Sequence, residues 1–309
     1  MNTRRFSIMA LLGLGSLVAA GCVPLVNAPS GGGAVTTSTY KIGPFNLAAL
    51  GQPGSESETS KTNVPRPAGA FGVKTMDFDL VDGNGTPIPR HMAHLHHVLL
   101  IDSAHTDVLC AGRAERFSGA GAERTPLRLP DPYAYLVGAN DRWDSLWHVM
   151  NMSDMPMTVY IQYKVGYQTG ATAANTRNVV PYFADVTGCG GSVFNVPGNG
   201  GMGSVYTKSR TWNAPTDGIM VYAGGHLHGG GIDLTLRDGF SGAQCVMTAH
   251  YDMPMGMMDG MHPPMSIDPC PAHNLVIKGK PYTLTARYDN SQPYIDVMGI
   301  ALAYIWPTS

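Results

Sequence analysis

Charged residues are scarce in this chain, at 14% of 309 residues, and the formal net charge is only −2. No cluster of lysine and arginine stands out, so the composition gives no indication of nucleic-acid binding. The sequence contains no G-x-S-x-G, H-E-x-x-H or P-loop motif, the local signatures of serine hydrolases, zincins and P-loop nucleotidases. The run at 198–203 matches G-x-G-x-x-G, but a strand-like segment follows where a dinucleotide site requires a helix.

Long helical patterns are also missing, because 38 glycines and 23 prolines interrupt the chain at short intervals. Segments of strand character are frequent instead, at 71–81, 96–102, 157–168, 218–228, 231–239, 281–290 and 297–306. Many short strands separated by turn residues predict an all-β sandwich or barrel. We place a boundary at the glycine-rich run, which gives two β-domains of similar size.

The N-terminal segment resembles an export signal, since a charged start precedes an apolar run at 8–20 that is too short to span a membrane. Small residues and Cys22 follow the run, as in the bacterial lipoprotein signal, in which the cysteine becomes the acylated first residue. We therefore expect a signal peptide at 1–21, a lipid on Cys22 and a flexible tether at 22–40. This predicts a protein anchored to the bacterial cell envelope, at the outer membrane or cell surface. An ordinary secretory signal with a chance cysteine is the alternative.

Four cysteines remain besides Cys22, and an even number in an exported chain predicts two disulfides. We predict the pairs Cys110–Cys189 and Cys245–Cys270, because each pair then staples one half of the chain. None of the four has the close C-x-x-C spacing of a zinc site.

Histidines are concentrated in two places. Four of the 11 histidines stand within 91–97, "HMAHLHH", where His94 and His96 share a face of a regular strand. His96 and His97 are adjacent and diverge unless a bulge or a strand end brings them together. The second group, "GGHLHGGG", places His226 and His228 two residues apart, so both imidazoles project from one face. Exposed loop histidines are the alternative interpretation.

Methionine is abundant, with 18 residues, and seven of them lie in the segment Met247–Cys270. Thioether sulfur favours Cu(I) over zinc, calcium or magnesium. Together with imidazoles in an oxidising compartment, it indicates copper. Possible additional ligands are His94, Met253, Met255 and His262. A flexible apolar loop that uses methionine as filler is the alternative.

Three blocks, "HLHHVLL", "GGHLHGGG" and "DVMGIALAYIW", resemble the type II copper monooxygenases, peptidylglycine α-hydroxylating monooxygenase and dopamine β-monooxygenase. "HLHH", "GGHLHGGG" and "YDNS" resemble the stress up-regulated nodulin family more closely. The resemblance implies two consecutive jelly-roll-like β-sandwich domains, at 41–197 and 198–309, and one copper in each.

The resemblance also implies a ligand set for each copper. His96 and His97 correspond to ligands of the first copper, and His226, His228 and Met298 to those of the second, where oxygen binds. The third histidine of the first set lies in a strand that ends Q-V-H-Y-G, where this chain has Tyr163 or Lys164. Either His148, just before the next long strand, replaces it, or the first site is incomplete or uses His94.

Two functions follow from these patterns. The first is a copper monooxygenase-like oxidoreductase that uses one or two copper ions, O₂ and an external reductant such as ascorbate on a small-molecule or peptide substrate. The alternative is a non-catalytic lipoprotein that stores or transfers copper through its methionine-rich loop. A sandwich adhesion module with incidental histidines is a third, weaker hypothesis.

Overall fold

The computed structural model describes residues 33–172, 174–252, 262–270 and 274–308. Within these ranges the chain forms 21 strands and no helix, which confirms the all-β prediction. Accordingly, the described residues include no helix long and apolar enough to cross a membrane. Cys22, Met253 and Met255 lie outside the described residues.

The strands before residue 198 are β1 (Thr36–Leu47), β2 (Glu56–Val64), β3 (Phe71–Val81), β4 (Ala93–Thr106), β5 (Ala114–Gly121), β6 (Leu127–Arg128), β7 (Tyr133–Val137), β8 (Trp143–Asn151), β9 (Met157–Thr169), β10 (Arg177–Asn178), β11 (Val180–Asp185) and β12 (Phe194–Val196). The strands after it are β13 (Val205–Asn213), β14 (Gly218–Leu227), β15 (Gly231–Asp238), β16 (Gln244–His250), β17 (Ser266–Ile267), β18 (Asn274–Val276), β19 (Pro281–Asp289), β20 (Tyr294–Val297) and β21 (Gly299–Pro307).

These strands form five small sheets. Sheet I has the order β1-β9-β3-β7-β10, with β6 also on β3, and sheet II has the order β2-β8-β4-β5. Sheet III is β11-β21-β14-β18, sheet IV is β13-β19-β15-β16-β17, and β12 and β20 form a two-stranded ribbon. Apart from the parallel pair β7–β10, the named strands pair antiparallel. The small sheets are compatible with sandwich packing and also with a propeller-like ring, so two jelly rolls stay a prediction.

Two hydrophobic cores hold the sheets together. The first is built mainly from sheets I and II, and Tyr222 and Tyr304 of sheet III also reach it. The second is enclosed by sheets III and IV. Sheets II and III therefore meet where the two cores adjoin. Two strands that precede residue 198, β11 and β12, pair with β21 and β20. The domain boundary at the glycine-rich run stays a prediction.

Both predicted disulfides are present. Cys110–Cys189 links the loop after β4 to the loop after β11, and Cys245–Cys270 closes the methionine-rich segment at both ends. The enclosed loops span 79 and 25 residues. Closing loops of this length stabilises a fold by about 3–5 kcal/mol in the chain-entropy view. The pairing predicted because each bridge staples one half of the chain is thus confirmed.

Candidate metal centre

Strand β4 turns three histidines away from the first core. Ala93, Leu95, Val98 and Leu100 are buried in that core, whereas the three histidines are partly buried. The pairing of β4 with β8 shifts between Leu95 and His97, so His96 is the additional residue of a β-bulge. A bulge lets adjacent side chains project to one side, and the Nδ1 atoms of His96 and His97 lie 3.2 Å apart.

Strand β8 adds His148 to this pair. His148 stands opposite His97 in the β4–β8 register, and its ring centroid is 4.6 Å from that of His96. One nitrogen from each of these three rings lies within 4.8 Å of the others. Tyr163, at the position where the resemblance expects a histidine, is instead buried in the first core with its hydroxyl donating to the Pro65 carbonyl. The structure therefore places His148, and not Tyr163, beside the adjacent pair.

His226 and His228 come from sheet III and meet the same histidines. Their ring centroids are 5.1 Å apart, and the His228 ring is 4.2 Å from the His96 ring. His94 completes the group, with its ring 5.5 Å from that of His96. The two predicted ligand sets are thus adjacent across the junction of sheets II and III. We call the six residues the histidine cluster: His94, His96, His97, His148, His226 and His228.

Met298 lies next to the cluster, directly before β21. β21 pairs antiparallel with β14, and the register ends with Leu227 opposite Gly299, so His228 and Met298 are the next residues along the two chains. The Tyr288 hydroxyl joins the two strands, because it accepts a hydrogen bond from the His228 N–H at 3.0 Å and donates to the Met298 carbonyl. Met298 also lines the same cavity as His226. The prediction that the C-terminal strand lies beside the strand that carries the H-x-H motif is confirmed.

Burial holds four imidazoles of the cluster in their neutral form. Loss of hydration lowers the pKa of His94 to about 4, of His97 to about 3 and of His96 to about 2. The pKa of His228, which is enclosed on all sides, is also well below its ordinary value for this reason, and the neighbouring histidines add to the effect. A neutral imidazole keeps a lone pair for a metal ion. These four histidines therefore offer ligand atoms, not positive charge, near neutral pH.

Two carboxylates orient histidines from outside the cluster. Glu56 Oε2 lies 2.8 Å from His148 Nε2, which leaves Nδ1 of that ring for a ligand. Glu123 is buried beside His226, with its oxygens 3.1 and 3.2 Å from His226 Nδ1. Gly121 makes room for this contact, because a Cβ there would lie 2.3 Å from His226 Cε1. Carboxylate–histidine pairs of this kind fix the ring orientation of metal ligands.

Two buried ring nitrogens in the cluster have no hydrogen-bond partner among the described residues, namely Nε2 of His226 and Nε2 of His228. A buried polar atom without a partner costs about 1–3 kcal/mol, and coordination of a metal ion would satisfy both. Imidazole nitrogens with a nearby thioether sulfur form a donor set that suits copper. The residues present therefore fit a copper centre.

The remaining candidates lie apart from these nitrogens or outside the described ranges. His262 shares a second cavity, of about 550 Å³, with His94. The sequence patterns do not identify three residues that contact these histidines, namely Glu56, Glu123 and Tyr288. Each lies at least 60 residues along the chain from the histidine that it contacts. No local motif marks them.

We expect Glu123→Gln to weaken copper binding at His226 by about 10- to 100-fold. The substitution keeps the side-chain shape but removes the negative charge that holds His226 Nδ1. A chelator-competition titration measures the change. Asp268→Asn is a matched control, because Asp268 pairs with His250 at 2.8 Å outside the cluster. Equal affinity in the wild type and Glu123→Gln would contradict the positioning role of Glu123.

Two curated relatives are similar to this chain. Probable copper-dependent oxygenase M1 of Phoma sp. is 27% identical over 273 residues, which cover 79% of this chain and 66% of that protein. Probable copper-dependent oxygenase clz3 of Cochliobolus lunatus is 28% identical over 238 residues, which cover 68% of this chain and 71% of that protein. The chain thus spans about two thirds of the length of each relative.

Other comparisons are less informative. No protein-family model matches the chain. The solved structure of PNGF-II aligns with 86% of this chain and 64% of its own, at a TM-score of 0.37 and 9% identity, a level that carries no argument. The narrower likeness to the peptidylglycine or nodulin-type proteins stays a prediction. The two relatives support a copper oxygenase-like family for this chain.

Proposed function

We propose that this protein is a copper-dependent oxygenase whose active centre is the histidine cluster. The observation that carries the proposal is the meeting of two imidazole sets, from sheets II and III, with the His96 and His228 rings 4.2 Å apart. Buried histidines with unpartnered nitrogens are arranged as ligands. The relatives named probable copper-dependent oxygenases support copper as the metal.

Each imidazole set would hold one copper ion. His96, His97 and His148 form the first set, with Glu56 orienting His148. His226 and His228 form the second, with Met298 beside them and Glu123 orienting His226. When bound, copper supplies the one-electron redox chemistry that O₂ requires. The chain holds and orients the ligands and shields them from water.

The overall reaction of a monooxygenase determines how many electrons and protons must be supplied. A substrate C–H bond breaks, a C–O bond forms, and the second oxygen atom leaves as water. This requires two electrons and two protons for each O₂. We propose an external reductant of the ascorbate type as their source, as in the type II copper monooxygenases that the histidine motifs resemble.

We further propose that the two ligand sets belong to two jelly-roll-like domains, at 41–197 and 198–309. The sheets from which the sets come support this division only in part, since sheet III also contains β11. An export signal and a lipid on Cys22 would place the protein at the bacterial cell envelope. The oxidising conditions there agree with the two disulfides.

The proposal is tested with copper-loaded protein, ascorbate and ¹⁸O₂, using one panel of small apolar molecules and one of glycine-extended peptides. We expect a product that carries one ¹⁸O atom, formed by the wild type and not by the zinc-loaded protein. Tightly bound copper with no labelled product in either panel would contradict an oxygenase. More than two copper ions per chain would in that case favour storage or transfer.

A further inference from the structure

A cavity of about 180 Å³ lies between sheets II and III and ends at the histidine cluster. Its cluster end is formed by His97, His226 and Met298. The other end reaches Arg113 and Ser192. Arg113 is exposed, so this end leads toward solvent.

The walls of the cavity follow from strand alternation. The cavity is lined by alternate residues of β21 and by the residue directly before it, namely Met298, Ile300, Leu302 and Tyr304. The paired strand β14 contributes Tyr222, Gly224 and His226 in the same way. Leu99, Ala120, Leu146 and Phe183 line it as well. The lining is therefore mainly hydrocarbon and aromatic, and the cluster lies at one end of it.

Of the charged side chains in the lining, Arg116 and Glu123 have partners inside the protein, whereas Arg113 is exposed to solvent. Arg116 Nη2 lies 2.7 Å from Asp107 Oδ2, and Arg116 Nε donates to the same oxygen at 2.8 Å. Glu123 is held by His226 and by the Gly121 N–H. A charged ligand beside the histidine cluster, away from Arg113, would lose its hydration without a free countercharge there, which is strongly unfavourable.

The two tyrosine hydroxyls in the lining are also used within the protein. Tyr304 donates to the Phe117 carbonyl at 2.8 Å, and Tyr222 donates to the Pro126 carbonyl. Their rings, and not their donors, are thus available to a ligand. An apolar cavity of about 150 Å³ is known to hold benzene, so this cavity has room for a slightly larger molecule.

We propose that this cavity binds a compact, uncharged, apolar substrate, a small aromatic or branched hydrocarbon, beside His226 and Met298. The statement that the bound molecule is a substrate rests on the proposed function. The class of ligand follows from the cavity alone. Binding itself needs no copper, since none of the apolar walls depends on a metal ion.

Toluene serves as the probe, with its binding to the metal-free full-length protein measured by calorimetry and by ligand-observed NMR. We expect saturable binding to the wild type and at least about tenfold weaker binding to Leu302→Phe, which fills the cavity from β21. Ala120→Leu fills it from the opposite wall and serves as a second variant if the first does not fold. Leu275→Phe is the matched control, because Leu275 is 56% exposed elsewhere on sheet III.

Two further measurements, of benzoate binding and of copper binding, distinguish the possible outcomes. We expect benzoate to bind more weakly than toluene, and copper binding to be unchanged in both cavity variants. Toluene binding that is equal in the wild type and the filled variants, or benzoate binding that exceeds it, would overturn the proposal. Copper binding that persists in both His226→Ala and His148→Ala, with toluene binding intact, would instead contradict the proposed function and leave the cavity assignment standing.

Discussion

We expect His226→Ala to lose the copper ion of the second set, with an affinity loss of at least about 100-fold. Removal of a carboxylate that only orients a ligand already costs about 10- to 100-fold, and here a ligand itself is removed. The variant leaves His228 as the single imidazole of its set. Its buried Nε2 is the other unpartnered nitrogen of the pair. Copper per chain after dialysis, with chelator competition, measures the loss.

Two variants serve as comparisons for His226→Ala. Met298→Leu nearly preserves side-chain volume, so the fold should survive, and it should weaken Cu(I) more than Cu(II) because a soft thioether is removed. His250→Ala removes a histidine that pairs with Asp268 outside the cluster, and it should change neither ion. Unchanged copper binding in both His226→Ala and Met298→Leu would refute the second set. It would leave the segment Met247–Cys270 as the copper site.

The second large effect is expected for His148→Ala, which should lose the copper ion of the first set, again by at least about 100-fold in affinity. His148 supplies the third nitrogen, on a different strand from His96 and His97. Two adjacent imidazoles on one bulge do not enclose an ion. The same measurement applies, and the copper at His226 should remain.

Glu56→Gln provides a graded comparison for His148→Ala. Glu56 contacts His148 Nε2 at 2.8 Å from an exposed position, so its loss should weaken the first set less than loss of His148. Retention of both copper ions in His148→Ala would show that His148 is not a ligand and would assign the third position to His94.

The local part of the site could be predicted from the sequence. The H-x-H spacing of His226 and His228 on a strand fixes a common face, because strand residues alternate with a period of two. The adjacency of His96 and His97 required a bulge, and the β4–β8 pairing contains one. The glycine and proline content predicted an all-β chain for a similarly local reason, since frequent turns exclude long helices.

The arrangement of the two sets could not be predicted. The approach of His96 to His228 depends on the packing of sheet II against sheet III, which no periodicity encodes. Glu123 is a single carboxylate in a glycine-rich turn, and its role depends on His226, 103 residues away. Long-range partners of this kind depend on tertiary packing and have no spacing rule.

Anomalous diffraction at the copper edge from crystals of the copper-loaded protein tests the proposed metal centre most directly. We predict one copper peak bounded by His96, His97 and His148, and a second bounded by His226 and His228. Copper located only in the segment between Cys245 and Cys270, with none in the histidine cluster, would contradict the proposed centre and favour a storage or transfer protein.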